Sequence, residues 1–375
     1  MIDDAIRIGV VGCGGFGLFA LQNFTQIPGT EVVGMSESYG PAAEAAAERF
    51  GIAEQDDIEK LVARDDVDII YIATPPFLHH PQVMIALGAG KHVISEKPLA
   101  LNLQQADEMI AAAREQNLLL VANLLQRYNP LYDAVKRLID SRLLGEPLHG
   151  YFENYAKDEQ LPPDHWFWDR GKSGGIFIEH GVHFFDMFAG WFGTGEVVAA
   201  QRTVRPGTTF EEQMHCTVRY GETVLVNFYH GFHQAERMDR QEMRLVFERG
   251  DVTLYEWVPT RVRIHAIADE KAVRHIAELF PGARVDVKED YKAEDRVCHA
   301  RHKELDVSQR FELTSGEGVQ KMARYGELLR AIFEDQAAWI RDRSHVRKIT
   351  EENGRASLAM AVEADRLAHG HQGDL

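Results

Sequence analysis

The feature that most limits how this chain can fold is a glycine-rich turn between a short apolar run and a helix-like segment. Residues 6–11 are apolar and largely β-branched, which predicts a buried parallel strand. The glycines follow at once as Gly12-x-Gly14-x-x-Gly17, and helical spacing then continues until Pro28. Glycine at these positions allows a tight strand-to-helix turn and close packing of the helix against the strand. The segment therefore predicts the first strand and helix of an α/β domain.

Strand-like and helix-like segments alternate along the rest of the first 125 residues. Further strands are predicted at 31–37, 67–74, 92–95 and 118–123, and helices at 41–51, 81–89 and 103–115. Regular alternation of this kind is typical of a doubly wound parallel sheet. We therefore predict a Rossmann fold over residues 1–125.

The pattern changes beyond this first domain. A helix predicted over 129–145 precedes several β-rich runs between about 148 and 260, which favours a mostly antiparallel sheet. Irregular structure is expected over 262–315, and two helices separated by a break are predicted over 317–369. The fold class is thus α/β, with an N-terminal Rossmann sheet and a second α/β domain over 126–375 that has an open, mostly antiparallel sheet.

Charge and cysteine content exclude several classes of function. The formal net charge is −17 and the pI is near 5.5, whereas nucleic-acid binding needs clustered Lys and Arg. No apolar run is long enough to predict a membrane span, and the acidic N-terminus is not typical of a secretory signal. Cys13, Cys216 and Cys298 form no CxxC pair, which favours a reducing compartment. We therefore expect a cytoplasmic protein that binds neither nucleic acid nor membrane.

The glycine spacing also matches the fingerprint of dinucleotide binding. Gly12 allows the tight turn, Gly14 lets the backbone approach a pyrophosphate, and Gly17 lets the helix pack closely. Gly15 and Phe16 lie at the start of the helix, where free N–H groups attract an anion. The alternative is a glycine-rich turn used only for packing.

Glu37 bears on the choice of cofactor. It ends the second predicted strand, twenty residues beyond Gly17, where a carboxylate can accept hydrogen bonds from both ribose hydroxyls of the adenosine. The same carboxylate repels a 2′-phosphate, so NAD is favoured over NADP. Ser36 and Ser38 are able to donate to a phosphate, which leaves NADP open.

Six pieces of the chain carry a wider resemblance. They are GCGGFG (12–17), ATPPFLHH (73–80), AGKHVISEKPLA (89–100), RYNPLYDAVKRLIDSRLLGEP (127–147), GGIFIEHGVHFFDMF (174–188) and a helix starting near Asn353-Gly354. In this order they resemble the glucose–fructose oxidoreductase and inositol dehydrogenase family (Gfo/Idh/MocA). The resemblance implies a C-terminal domain whose open sheet packs against another subunit, in a homodimer or homotetramer. It also implies that the final helices, about 351–369, return to the first domain.

The resemblance implies roles for five residues. Lys97 would reach the nicotinamide and the substrate, with Pro98 fixing the loop that presents it. His183 would be the acid/base for the substrate hydroxyl. The family commonly has Asp four residues before this histidine, but the position is Glu179 here, which leaves open whether Glu179 or His183 carries the proton. Asp186 matches a further recurrent carboxylate.

Other candidates lie around these residues. The predicted cofactor contacts outside the glycine turn are Glu37, Thr74, Pro75, His79, Glu96 and Lys97. The predicted substrate contacts are Lys97, Arg127, Trp166, Trp168, His180, His183 and Asp186. His79 is equally well explained as a loop cap, and the two tryptophans either stack on a sugar or pack in a core or interface. His180 and His183 do not form an HExxH motif, so no metal is expected.

These residues predict an NAD(P)-dependent dehydrogenase or reductase acting on a secondary alcohol or ketone of a sugar, glycoside or cyclitol. Nicotinamide would take the hydride, His183 the hydroxyl proton, and Lys97 would stabilise the alkoxide. One alternative is an oxidoreductive glycosidase, in which transient oxidation permits loss of the aglycone. Another is a non-catalytic dinucleotide or sugar sensor, and a third is a relative of biliverdin reductase or dihydrodiol dehydrogenase acting on a non-sugar.

Overall fold

The computed structural model describes residues 5–37, 40–55, 57–158 and 161–370. The chain divides into two compact units, each assembled from separate stretches of sequence. The first unit contains Met1–Leu125, Pro163–Asp186 and Gly326–Asp365, and the second contains Gln126–Pro162, Met187–Tyr325 and Arg366–Leu375.

A six-stranded parallel sheet forms the centre of the first unit. Its strands are β1 (Ile6–Val11), β2 (Thr30–Ser36), β3 (Ala53–Gln55), β4 (Ile69–Ile72), β5 (His92–Ser95) and β6 (Leu120–Ala122), in the order β3-β2-β1-β4-β5-β6. The connecting helices are α1 (Gly15–Phe24), α2 (Gly40–Phe50), α3 (Ile58–Val62), α4 (His79–Gly88) and α5 (Leu103–Glu115). Every residue of β4 is buried, as expected for a strand covered on both faces. This confirms the predicted doubly wound sheet, although β3 and α3 were not predicted.

Gly17 explains how α1 begins so close to β1. A Cβ built at Gly17 would overlap the carbonyl oxygen of Gly12, whereas a Cβ built at Gly14 meets nothing within 4 Å. Helix α1 therefore rests directly on the turn that precedes it, and only a hydrogen side chain fits at Gly17.

We expect Gly17→Ala to destabilise the protein by about 3 kcal/mol or more, because the added methyl meets backbone rather than a movable side chain. Gly14→Ala is the matched control and should change the free energy of unfolding by no more than about 0.5 kcal/mol. Urea denaturation of both variants measures the difference. Equal stabilities of the two variants would contradict this explanation of the turn.

The C-terminal helices α10 (Lys321–Arg341) and α11 (Glu351–Ala368) lie largely within the first unit. Gly354 in α11 allows a close approach to the sheet, since a Cβ there would lie 3.1 Å from Ala122 Cβ and 3.3 Å from Leu99 Cβ. Just before α11, the Thr350 N–H donates to Asn353 Oδ1 (2.9 Å). Helix α11 thereby packs beside the segment that follows β5.

A nine-stranded sheet forms the centre of the second unit. Its strands are β7 (Pro147–Lys157), β8 (Gly195–Val204), β9 (Glu211–Tyr220), β10 (Val224–Gln234), β11 (Arg240–Phe247), β12 (Gly250–Tyr255), β13 (Arg261–Ala268), β14 (Arg284–Asp290) and β17 (Gln309–Ser315). The order is β14-β17-β13-β12-β11-β7-β10-β9-β8, in which β7 and β10 pair in parallel and the other neighbours are antiparallel. The mostly antiparallel sheet is confirmed.

Further elements complete the chain. The remaining helices are α6 (Pro130–Ser141), α7 (Arg170–Ser173), α8 (Val182–Phe192) and α9 (Glu270–Leu279), and β15 (Val297–Ala300) pairs with β16 (Lys303–Asp306). Across the parts of the chain that the structure describes, no helix is long and apolar enough to cross a bilayer.

The expectation of irregular structure over 262–315 was wrong. Strand β13 alternates strictly between buried and less buried residues, and Asp269 caps α9 by accepting from the Ala272 N–H (2.9 Å). Strand β14 is exposed along its whole length, and only Val285 and Val287 give its sequence an apolar alternation, which is too short to predict a strand. Pairing with β17, rather than burial, holds it as a strand.

Candidate functional site

The glycine turn has the geometry of an anion cradle. Gly12 has φ +90°, and a Cβ there would lie 2.8 Å from the Ala73 carbonyl oxygen. Gly14 precedes α1 as its N-cap and supplies no side-chain cap, while a Cβ at Gly14 or Gly15 would project into open space. Amide groups at the start of α1 therefore face a space large enough for a phosphate, with the half-buried Phe16 in the first turn. These residues fit a dinucleotide pyrophosphate.

Glu37 follows β2 and reaches back to the glycine turn. The Cys13 N–H donates to Glu37 Oε2 at 2.6 Å, so the carboxylate lies beside the cradle. A carboxylate in this place suits the hydroxyls of an adenosine ribose. Ser36 is buried at the end of β2, and Ser38 lies outside the described residues.

Lys97 and Glu179 form a close ion pair within the first unit. Lys97 follows β5, and its Nζ donates to Glu179 Oε1 (2.5 Å) and to the Glu179 carbonyl oxygen (2.9 Å). Only 17% of the Lys97 side chain and 12% of the Glu179 side chain are exposed. Glu179 lies in a π-helical turn, Phe177–Gly181, directly before α8, and such turns are frequent at functional sites. Two contacts to one residue fix the position of the ammonium group.

Two histidines lie in the electric field of this lysine. Burial, together with the Lys97 charge, lowers the pKa of His180 to about 3. His183, in the first turn of α8, is only 3% exposed, and burial followed by the Lys97 charge holds its pKa well below 6.5. Both imidazoles are therefore neutral at pH 7, which is the form that accepts a proton.

Glu96 is held in a buried polar cluster next to Lys97. Tyr71 Oη donates to Glu96 Oε1, and Asn123 Nδ2 donates to the same oxygen at 2.6 Å. Burial raises the pKa of Glu96, against the effect of these two donors. Tyr71 and Asn123 were not predicted, although a hydroxyl within the apolar strand 69–72 and an amide just after β6 were the available signals.

The predicted cofactor residues after β4 contact one another. Thr74 Oγ1 donates to Gln82 Oε1 (2.6 Å), and Pro75 precedes a short turn that leads into α4. His79 is fully buried, and its two ring nitrogens contact the carbonyl oxygens of Thr74 and Pro98. Both ring nitrogens of His79 therefore contact backbone carbonyl oxygens.

The predicted substrate residues have different surroundings. Trp166 is half-buried, with its ring 5.0 Å from that of His165, whereas Trp168 is buried and packs edge-on against Phe167 at 5.0 Å. The buried Asp186 accepts from Asn353 Nδ2 (3.3 Å), which connects α8 to α11.

Arg127 belongs to the second unit, where its Nη1 donates to Tyr132 Oη (3.1 Å). Its guanidinium also lies over the Tyr132 ring, 5.6 Å from the centroid. A Cβ at Gly190 would overlap both side chains, so a glycine is needed beside the pair. The first unit therefore brings Lys97, Glu179 and the two histidines together, and Arg127 is positioned by other neighbours.

Two family models match the chain. One is described as an oxidoreductase family with an NAD-binding Rossmann fold and matches residues 6–124. The other is described as a Gfo/Idh/MocA C-terminal domain and matches residues 132–253. Together the two matches cover more than half of the chain.

Curated relatives match parts of the chain. The dTDP-3,4-didehydro-2,6-dideoxy-alpha-D-glucose 3-reductase of Streptomyces violaceoruber is 39% identical over 143 residues, which are 38% of this chain and 42% of the relative. The scyllo-inositol 2-dehydrogenase (NAD(+)) of Bacillus subtilis is 28% identical over 188 residues, which are 50% of this chain and 54% of the relative. The chain thus spans about half the length of these relatives.

Solved structures share the fold over nearly the whole length. The WlbA dehydrogenase from Bordetella pertussis, crystallised with NADH and UDP-GlcNAcA, superposes with a TM-score of 0.78 at 19% identity, covering 98% of this chain and 97% of that one. At this level of identity the likeness is one of fold alone. With both family models matched and both sheets in place, the chain belongs to the Gfo/Idh/MocA family of oxidoreductases and carries its NAD-binding Rossmann fold.

Proposed function

We propose that the protein is an NAD-dependent dehydrogenase or reductase that transfers a hydride between nicotinamide and a secondary alcohol or ketone of a sugar, glycoside or cyclitol. The observation that carries the proposal is the largely buried Lys97–Glu179 ion pair in the nucleotide-binding unit, together with two histidines whose pKa values are lowered by burial and by the Lys97 charge. The relatives named above act on a deoxysugar nucleotide and on an inositol, which supports this substrate class.

Each residue of this cluster has a chemical part in the oxidation. The bound nicotinamide supplies the hydride acceptor. The neutral His183 accepts the hydroxyl proton as the C–H hydride leaves the carbinol carbon, and the reverse reaction returns both. The Lys97 ammonium stabilises the oxygen while it carries negative charge. Glu179 holds that ammonium in place through its carboxylate and its main-chain oxygen.

His183, rather than Glu179, is the proton carrier in this proposal. Glu179 Oε1 lies 2.5 Å from the Lys97 ammonium, so in this proposal the carboxylate serves to hold that ammonium in place. Burial, followed by the Lys97 charge, lowers the pKa of His183, so its imidazole is neutral and able to accept the hydroxyl proton.

Glu37 is the residue proposed to favour NAD. Replacing it with glutamine removes the charge that repels a 2′-phosphate and weakens the acceptor for the ribose hydroxyls. We expect the ratio of kcat/KM for NAD to that for NADP to fall by about tenfold, which corresponds to about 1.4 kcal/mol. Steady-state rates with both cofactors measure this ratio. Glu31→Gln is the control, because Glu31 lies near the start of β2 whereas Glu37 follows its end, and an unchanged ratio in Glu37→Gln would contradict the assignment.

Partners and location form part of the same proposal. Half-exposed tyrosines line one face of the second unit's sheet, where Arg240 lies over the Tyr155 ring (4.8 Å) and Arg244 over the Tyr151 ring (5.6 Å). Tyrosine and arginine are enriched in protein interfaces, so this face is proposed to join subunits of a homodimer or homotetramer.

The domain boundary is proposed to lie near residue 125. A cytoplasmic location is also proposed, on the basis of the charge and cysteine pattern.

Light scattering of the full-length protein is expected to give the mass of a dimer or tetramer. Tyr155→Asp should shift it towards the monomer, because a carboxylate would be desolvated in the interface. Tyr291→Asp, on an exposed segment of the same unit, is the control. A monomeric wild type at micromolar concentration would contradict the proposed assembly.

The experiment that tests the function follows nicotinamide absorbance with NAD or NADP and a panel of sugars, glycosides and inositols, while aglycone release is measured in parallel. Reduction of the cofactor by one class of polyol supports the proposal. Aglycone release that needs only catalytic NAD would identify an oxidoreductive glycosidase instead. Tight NAD binding without transfer in either direction would indicate a sensor.

A further inference from the structure

His79 lies between two loops that leave neighbouring strands. It is the first residue of α4 and is completely buried. Its Nδ1 is 2.7 Å from the Pro98 carbonyl oxygen and its Nε2 is 2.8 Å from the Thr74 carbonyl oxygen. We propose that His79 is a positioning residue that fixes Lys97 by holding the carbonyl of Pro98 against the loop that follows β4. The proposal rests on the proposed function in that it gives Lys97 its role in hydride transfer.

The bridge lies where the sheet no longer holds the two segments. Strands β4 and β5 pair up to Ile72 and Ser95, and the Glu96 N–H still donates to the Ile72 carbonyl at 2.8 Å. Beyond this point the imidazole spans the gap between the segments. Where the inter-strand hydrogen bonds end, the ring connects the two segments through its contacts to two backbone oxygens.

The chemistry of the ring suits this task. Carbonyl oxygens only accept hydrogen bonds, and burial lowers the pKa of His79, so the neutral ring donates through its single N–H to one of the two oxygens and packs against the other. An apolar side chain in place of His79 would leave that acceptor without its donor. A histidine whose two nitrogens both contact protein backbone has neither directed at a cofactor. This geometry therefore favours the loop-bridging role of His79 over direct cofactor contact.

Lys97 needs its backbone fixed on both sides. Its Nζ donates to two oxygens of Glu179, the carbonyl oxygen and Oε1. Both contacts require that the Lys97 Cα stays in place. On the N-terminal side, Glu96 is anchored by the buried Tyr71 and Asn123. On the C-terminal side, the Pro98 carbonyl is anchored by His79. Removing His79 releases one of the two anchors that flank the lysine.

Lysine labelling tests this proposal without relying on turnover. The full-length protein is treated with trace acetic anhydride, and acetylation at Lys97 and Lys91 is quantified by mass spectrometry. Lys91 is a matched reference in the same unit, because its Nζ also donates to two backbone oxygens, those of Arg64 (2.7 Å) and Val67 (2.8 Å). In His79→Leu we expect Lys97 acetylation to rise at least about threefold while Lys91 stays unchanged. His79→Gln, which keeps an amide donor, should lie between wild type and His79→Leu.

Kinetics give a second readout. We expect kcat of His79→Leu to fall about tenfold while KM changes less than about threefold, because a misplaced Lys97 loses transition-state rather than ground-state contacts. In a Lys97→Met background, adding His79→Leu should lower kcat no further, because both substitutions act through the Lys97 ammonium. His80→Leu is the control, because the adjacent His80 is part-exposed and pairs with Glu108 on α5 (2.9 Å).

Two results would overturn the proposal. One is unchanged acetylation of Lys97 in a folded His79→Leu protein, and the other is an equal rise at Lys97 and Lys91, which would indicate general loosening. If His79→Leu does not fold, His79→Gln carries the same comparison against wild type. If the wild type transfers hydride to no substrate, the proposed function fails, but the labelling still decides whether His79 fixes Lys97.

Discussion

Lys97→Met is expected to lower the rate of hydride transfer by about 10³-fold, because it removes the only cation proposed to stabilise the oxygen of the reacting carbinol. Affinity for NAD should change by less than about threefold, since the glycine turn and Glu37 are untouched. Single-turnover absorbance measures the rate, and isothermal titration with NAD measures the affinity. Lys136→Met, on the surface of α6 and paired with Asp140, is the control and should retain full activity.

The same substitution has a second expected effect. Without its ammonium partner, the largely buried Glu179 carboxylate becomes an uncompensated charge, which should destabilise the protein by about 3 kcal/mol. Adding Glu179→Gln to Lys97→Met should recover part of that loss in urea denaturation, because an amide is neutral. A rate within about tenfold of wild type in Lys97→Met would contradict the catalytic role. Destabilisation that Glu179→Gln does not relieve would contradict the pairing.

His183→Asn is expected to lower the rate of alcohol oxidation by about 10²–10⁴-fold, the usual contribution of a general base. The pH dependence gives a more specific test. Oxidation needs the neutral imidazole, and burial with the Lys97 charge lowers the pKa of His183, so the wild-type rate should persist below pH 6.5 and fall only as pH passes through that lowered value. Reduction needs the protonated form, so its rate should instead rise as pH falls.

Profiles of kcat/KM, measured from the lowest pH at which the protein stays folded up to about pH 8, follow this behaviour. In His183→Asn the acid limb of oxidation should be absent, and His80→Asn should keep the wild-type profile. If His183→Asn keeps the acid limb and Glu179→Gln loses it, Glu179 is the proton carrier. An acid limb at or above pH 6.5 in the wild type would contradict the effect of burial on His183.

The first domain could be predicted from sequence because its signals are local. Residues 6–11 are adjacent to the glycines that turn the chain, and Gly17 must be small because it meets the carbonyl of Gly12 only five residues earlier. The longer strands and helices of this domain repeat such short-range patterns. Strand β3, with three residues, and α3, with five, are too short for periodicity to show.

The site depends on contacts that no local pattern contains. Lys97 and Glu179 are 82 positions apart, and Arg127, which the sequence also places among the site candidates, belongs to a different compact unit. The resemblance to a family identified the positions of Lys97, Glu179 and His183. It did not indicate that Glu179 contacts the ammonium through two oxygens, because that depends on the π-helical turn.

Buried partners were the part that sequence reasoning missed. Tyr71 reads as one more apolar residue of β4, and only the structure shows its hydroxyl donating to Glu96. Strand β14 was missed for the opposite reason, since it buries nothing and its hydrogen bonds to β17 are long-range. In both cases the structural role of a residue or strand depends on contacts with a segment far away in the sequence.

The central claim is that a hydride passes from a carbinol carbon to nicotinamide under the control of Lys97 and His183. The most direct test is to supply the polyol that reduces NAD with deuterium on its carbinol carbons and to analyse the nicotinamide by mass spectrometry. We predict one deuterium per reduced nicotinamide in the wild type and none above background in Lys97→Met over the same time. Reduced nicotinamide without deuterium, or equal labelling in the two proteins, would contradict the account.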